Sequence, residues 1–240
     1  ARALAEPEAF DPAQATRTFR LVSPDLFDAL VLPALLARIG REAPFVDLAV
    51  APTPKRLADS LETGEVDLAI YPVLLDPTPF DLGTQVDPEL QSRALFRDSF
   101  QCFVRKGHPV LDTQRLTLKR YAALDHILVS PGGEGPGVVD RMLAQGGLER
   151  RIALRVPHFA TALEVLPQSD LVLTAPSSLA HCAAASKLAS RPVPLKIPEH
   201  AITMLWHPRF GEDPAHRWFR ELMLEVTGKL PSLPKRRAAG

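Results

Sequence analysis

Residues 46–71 read VDLAVAPTPKRLADSLETGEVDLAIY. Its two ends, VDLAVA at 46–51 and VDLAIY at 66–71, are short apolar runs with the composition of strands covered on both faces. Between them Leu57 and Leu61 stand one helical turn apart. Thr53-Pro54 has the form of an N-cap followed by the first helical residue. Gly64 falls where a helix ends in the left-handed conformation. Strands and helices alternating with short connections predict a parallel sheet with right-handed crossovers.

The same grammar extends in both directions. TFRLV at 18–22 is an earlier strand, stopped by Ser23-Pro24-Asp25. Phe27, Leu30, Val31, Leu35 and Ile39 follow at helical spacing. That reading sets Pro33 near the first turn, where the missing N–H is harmless, and ends the helix at Pro44. Residues 72–89, rich in Pro and Asp, read as a surface excursion, and strands follow at 93–96 and 100–105. A second round then begins. It has a short helix at 116–124, a strand at 126–130, a glycine turn GGEGPG at 132–137 and a helix at 138–145 closed by Gly146-Gly147. A strand at 152–156, a helix at 159–166, a strand at 170–175 and a helix near 177–184 complete it. The chain closes with the strand ITMLWH at 202–207. Asp213-Pro214 then opens a helix with Trp218, Phe219, Leu222 and Val226 on one face and Gly228 at its end. The fold class is α/β, with β-α-β-α-β occurring twice.

Composition excludes several classes. The 240 residues are 46% hydrophobic and 23% charged, the balance of a globular protein. No run approaches the ~20 apolar residues that cross a bilayer, and the first residues lack the apolar core of a signal peptide. Two cysteines, Cys102 and Cys182, make neither a disulfide scaffold nor a cysteine-ligated zinc site. Lys+Arg and Asp+Glu are 28 each, without the basic excess of a self-sufficient DNA binder. Residues 1–17 read as a linker remnant and 230–240 as a frayed basic tail.

In open parallel sheets, ligands bind beyond the carboxyl ends of the strands. Those ends present Ser23, Thr53 and Tyr71 in the first round, and Ser130, His158 and Thr174 in the second. Each begins a helix or its approach, where free amide N–H groups favour an anion. Ser23 and Thr53 have a second reading as caps alone, and His158 as a packed, locally satisfied histidine. The seven histidines show no metal-ligand spacing, so no metal and no cofactor is expected. GGEGPG lacks the Lys-Ser/Thr of a phosphate loop, no G-x-S-x-G elbow occurs, and Cys102 sits in an apolar strand. No catalytic constellation is assembled, and an enzyme is not expected.

Several segments resemble one family in order along the chain. They are FDPAQATRTFRL (10–21), LPALLARIGREAP (32–44), LADSLETGEVDLAI (57–70), LFRDSFQCFVRKGHP (95–109), VPHFATALEVLPQSDLVLTAP (156–176) and MLWHPRFGEDPAHRWFREL (204–222). They resemble the effector-binding domain of LysR-type transcriptional regulators, in the branch that includes salicylate-, nitroaromatic- and flavonoid-responsive members. The resemblance implies two Rossmann-like lobes of the periplasmic-binding-protein type II kind joined by two crossover strands, here 100–105 and 202–207. Lobe one would hold 18–104 and 204–229, and lobe two 105–203. A small aromatic or carboxylate effector would lie between them. Carried over by position, Ser23, Asp25 and Thr53 would line lobe one, and Ser130, His158, Phe159 and Thr174 lobe two, with Cys102 on the hinge strand. The resemblance also implies a cytoplasmic homodimer or homotetramer with no membrane partner. Promoter DNA would be reached only through an N-terminal winged helix-turn-helix domain that is not among these residues, and RNA polymerase indirectly. A transporter's solute-binding protein, or an enzyme on the same architecture, are the alternatives.

Overall fold

In the computed structural model, which describes residues 10–76, 86–132 and 135–230, the chain divides into two units. Among the described residues the first comprises 10–72, Val86–Phe96 and Ile202–Leu230; the second holds 73–76, 97–132 and 135–201.

The first unit is built on β1 (Arg17–Val22), β2 (Val46–Ala51), β3 (Leu68–Leu74), β4 (Gln91–Asp98) and β10 (His200–Trp206), in the order β2-β1-β3-β10-β4. β1 pairs in parallel with both β2 and β3, so the three strands form the expected parallel sheet with β1 between the other two. Period-2 alternation sorts its side chains. Phe19, Leu21, Leu68, Ile70, Met204 and Trp206 pack under α1 (Asp25–Glu42) and α6 (Pro214–Thr227). Val22, Ala69 and Leu205 face the other way and pack with Leu61 of α2 (Leu57–Thr63). Asp213 caps α6 as expected, accepting from Ala215 N at 2.9 Å and His216 N at 3.0 Å, with Pro214 next. Gly64 ends α2 with φ +80°, and a Cβ there would meet Phe210 Cζ at 3.0 Å.

Two helix starts differ from expectation. Thr53-Pro54 does not cap α2, which begins at Leu57 behind Arg56. Thr53 stays exposed in the approach loop. Pro33 lies well inside α1, because the helix starts directly behind Pro24. Pro33 and Ala29 are both on the exposed face, so the Ala29 carbonyl that loses its partner is hydrated and the usual penalty is reduced.

The second unit repeats the plan with β5 (Phe100–Arg105), β6 (Asp125–Val129), β7 (Arg151–Val156), β8 (Val172–Pro176) and β9 (Leu188–Pro192), in the order β7-β6-β8-β5-β9. β6 is parallel to β7 and β8, whereas β5 runs antiparallel to β8 and β9. Cys102, Val104 and Val172 pack with Tyr121 of α3 (Leu118–Ala122) and Val139 and Leu143 of α4 (Val138–Gln145). Phe103, Ile127 and Leu173 are buried at the alternate positions.

Strand β9 has no counterpart in the sequence reading, since LASRP alternates weakly and ends in Pro, as an edge strand can. The helix expected near 177–184 is instead two 3-10 turns, Ser177–His181 and Ala183–Lys187. The crossover strands also shift. Phe100–Arg105 lies wholly in the second sheet, and the strands that run from one unit into the other include β4 and β10. Part of the predicted surface excursion, part of the glycine turn, residues 1–9 of the linker and almost all of the tail lie outside the described residues.

Three of the four buried histidines give the fold a pH dependence. His126 is fully buried; its Nε2–H donates to the Tyr121 carbonyl at 2.9 Å, a tautomer assigned from its partners. Burial, helped by the Arg150 charge, pushes its pKa down to about 4. Burial also lowers His200, against the pull of Asp98 and Glu199, and His216. A histidine held neutral in the fold but free to protonate when unfolded contributes fully above its ordinary pKa of about 6.5, and that contribution is lost as pH falls toward its folded value. For His126 alone the loss approaches about 3 kcal/mol. Urea midpoints are expected to fall from neutral pH to about pH 5, and less steeply in His126→Gln, which retains an N–H donor. An unchanged slope in that variant would remove His126 from the account.

Candidate functional site

The parallel strands of each sheet end on one edge; Ser23, Ser130 and His158 follow such ends, Thr53 lies beyond one, and Tyr71 and Thr174 lie within their strands. In the second unit Ser130 follows β6 and donates its N–H to the Val156 carbonyl at 2.8 Å, extending the β6–β7 pairing by one rung. His158 follows β7 and occupies the N-cap of α5 (Phe159–Val165). Its side chain makes no capping bond and is exposed, which excludes the packed-histidine reading. Phe159, the first residue of α5, is half-buried. Thr174 sits in β8, half-buried, with its hydroxyl 2.6 Å from the Tyr121 phenol. Burial raises Tyr121 to about 12, so the phenol keeps its proton.

Cys102 does not reach this rim. It pairs with Thr174 across β5 and β8, but its side chain is fully buried in the core. Burial pushes the thiol up to about 12, despite the Arg191 charge. It is therefore protonated and enclosed, neither nucleophile nor contact.

In the first unit Ser23 follows β1, Thr53 lies beyond β2, and Tyr71 lies in β3, packed against Val22, Leu61 and Leu205. Ser23 donates to Asp28, not to the helix backbone; Pro24 occupies the N-cap of α1. Asp25 and Asp28 stand in the first turn. Burial raises the Asp28 pKa; Ser23 opposes this and Asp25 adds to it. This rim thus already holds two carboxylates over the positive end of its helix, and a further anion is disfavoured there. The second unit's rim, with Ser130, His158 and Thr174, offers donors instead.

A polar cluster near the start of β5 went unread in the sequence. The Asp98 carboxylate, 2% exposed, accepts from Ser99 N at 2.7 Å, from Ser177 Oγ at 2.5 Å and from Ser178 N. His200 packs against Phe100 with ring centroids 5.0 Å apart and planes tilted by 42°, and its buried Nδ1 has no hydrogen-bond partner among the described residues. The signal was present in Ser177-Ser178, directly after the strand-ending Pro176. The Ser177–Asp98 pair is buried and has no histidine bonded to the serine, so it holds the 3-10 turn rather than activating a nucleophile. Among the described residues no cluster of His, Cys, Asp and Glu could hold a metal ion, and no helix is long and apolar enough to cross a membrane.

Comparisons with known proteins agree with this architecture. The family model for the LysR substrate binding domain matches residues 12–228. The chain is 34% identical over 230 residues to the HTH-type transcriptional activator NagR of a Ralstonia species, covering 93% of this chain and 71% of that protein. It is likewise 34% identical over 226 residues to the activator NahR of Pseudomonas putida, covering 93% and 72%. Among solved structures, a probable transcriptional regulator from Pseudomonas aeruginosa superposes with a TM-score of 0.76 at 30% identity, over 90% of this chain and 68% of that one. The regulatory domain of MexT, an activator from the same species, gives 0.70 at 27%, over 89% and 100%.

Proposed function

From the premise that the chain belongs to the LysR substrate binding domain family, we propose that it is the sensing part of a bacterial transcriptional regulator, holding a small aromatic carboxylate between its two units. The observation that carries this reading is the difference between two equivalent rims. The second rim supplies hydroxyl groups and an exposed imidazole for a carboxylate (Ser130, His158, Thr174), with Phe159 for a ring. The first rim supplies acceptors, Asp25 beside Ser23 and Asp28, for a hydroxyl on the same molecule. Binding favours one arrangement of the units through its differential contacts, and a coupling of ~1–3 kcal/mol is enough to bias a regulator. Output passes to promoter DNA through an N-terminal winged helix-turn-helix domain carried outside these residues. The regulator acts in the cytoplasm as a homodimer or homotetramer and reaches RNA polymerase indirectly.

A thermal-shift screen with substituted benzoates tests the ligand class. At least one ring carboxylate, and not its amide, is expected to raise the midpoint, because only a ligand that binds the folded state stabilises it. His158→Ala should abolish most of that rise while leaving the unliganded midpoint unchanged. Stabilisation by amides and acids alike would contradict the assignment of the carboxylate to the second rim.

A further inference from the structure

A buried phenol in the second unit decides which way one rim hydroxyl gives its hydrogen. Tyr121 of α3 is fully buried, and its O–H stays protonated because burial pushes its pKa up to about 12. A buried O–H needs an acceptor. Among the described residues the phenol oxygen has two polar partners, Thr174 Oγ1 of β8 at 2.6 Å and Arg150 Nη1 at 3.5 Å. A guanidinium has only hydrogens to give. The acceptor is therefore Thr174 Oγ1, and the direction of the short bond follows by exclusion. A threonine hydroxyl carries one proton and two lone pairs. Tyr121 occupies a lone pair. Thr174 is half-buried, and its hydroxyl makes no other hydrogen bond among the described residues. Its proton is left for a group arriving at the rim.

We infer that Tyr121 is a specificity-determining positioning residue: by donating to Thr174 it fixes that hydroxyl as a donor toward the ligand, so that the second rim takes a carboxylate and discriminates against a group that brings its own hydrogens. The role rests on the rim reading proposed above, in which Thr174 meets the carboxylate. The phenol touches no ligand; it acts through Thr174, and the Arg150 charge behind it polarises the chain in the same sense. Tyr121→Phe keeps the ring in the core but leaves Thr174 free to turn and either give or take a hydrogen.

The test has one arm without ligand and one with it. In the free protein, followed by circular dichroism in urea, Thr174→Val is expected to lower the midpoint, because the phenol loses its acceptor. The same change should lower it much less in the Tyr121→Phe background. In the second arm, calorimetry gives the ratio of affinities for benzoate and benzamide. That ratio is expected to fall about fivefold in Tyr121→Phe and in Thr174→Val, the worth of one hydrogen bond, and to be kept in Thr174→Ser. A merely structural role for Tyr121 would weaken both ligands equally, and an unchanged ratio would overturn the inference. Additive midpoint shifts would also overturn it while leaving the rim reading intact. Coupled midpoint shifts with no benzoate binding to the wild type would instead overturn the rim reading, and the specificity role with it.

Discussion

Phe219→Ala is expected to lower the stability of the first unit by about 3–5 kcal/mol. Phe219 is fully buried. It stacks on Phe19 of the central strand β1, with ring centroids 4.3 Å apart and planes at 15°. It also lies in one cluster with Val31, Leu35 and Ile39 of α1 and Met204 of β10. Truncation removes the transfer free energy of the ring and leaves a cavity between two helices and a sheet that cannot all collapse into it. The stacked pair adds about 0.5–1.5 kcal/mol beyond area. Both tryptophans belong to the first unit, so indole fluorescence in urea reads the effect directly. The midpoint should fall with little change in slope. A loss below about 1 kcal/mol would mean that α6 is not clamped to β1 as described.

A loss of similar size, about 3–5 kcal/mol, is expected in the second unit for Asp140→Ala. The Arg150 side chain is 2% exposed and its Nε lies 2.6 Å from Asp140 Oδ1. Its other contacts, the Tyr121 phenol and His126 Nδ1, are neutral groups that do not balance the charge. Asp140 Oδ2 also accepts from Gly137 N at 2.7 Å, closing the first turn of α4. Removing the carboxylate strands a buried guanidinium and frees a helix N–H in one step. Asp140→Ala/Arg150→Met should recover most of the loss, because replacing a buried pair by apolar groups is often neutral. Circular dichroism in urea would check both variants. Equal destabilisation in the single and double variants would show that the helix cap, not the ion pair, dominates.

The sequence made the paired β-α-β-α-β plan legible wherever side-chain burial leaves a periodic trace. β2 is an apolar run broken only by Asp47, β1 and β6 end in apolar residues, and Asp213-Pro214 and Gly64 mark α6 and α2 by local backbone chemistry. It misread positions where a local signal competed with packing. Thr53-Pro54 looks like a cap, but Leu57 and Leu61 set the helix start, and nothing holds the Thr53 hydroxyl to a helix end. Pro33 looks like a first-turn residue, but its exposed position lets α1 run through it. Strand ends were legible, and with them the positions of Ser23, Ser130 and His158 behind β1, β6 and β7. Cys102 was not, since its facing depends on a pairing of β5 with β8 across seventy residues of chain. The Asp98 cluster escaped for the same reason: it joins β4 to a distant element, and no short spacing records it.

Calorimetric titration of the best benzoate from the screen tests the central claim most directly, using the wild type, Thr53→Ala and His158→Ala. Both altered side chains are exposed and neither caps a helix, so the folds should be intact and the unliganded thermal midpoints equal. One shared ligand predicts that each variant, although the two residues belong to different units, weakens the same binding event. Normal binding by both variants, or weakening by only one of them, would contradict a single guest held by both rims.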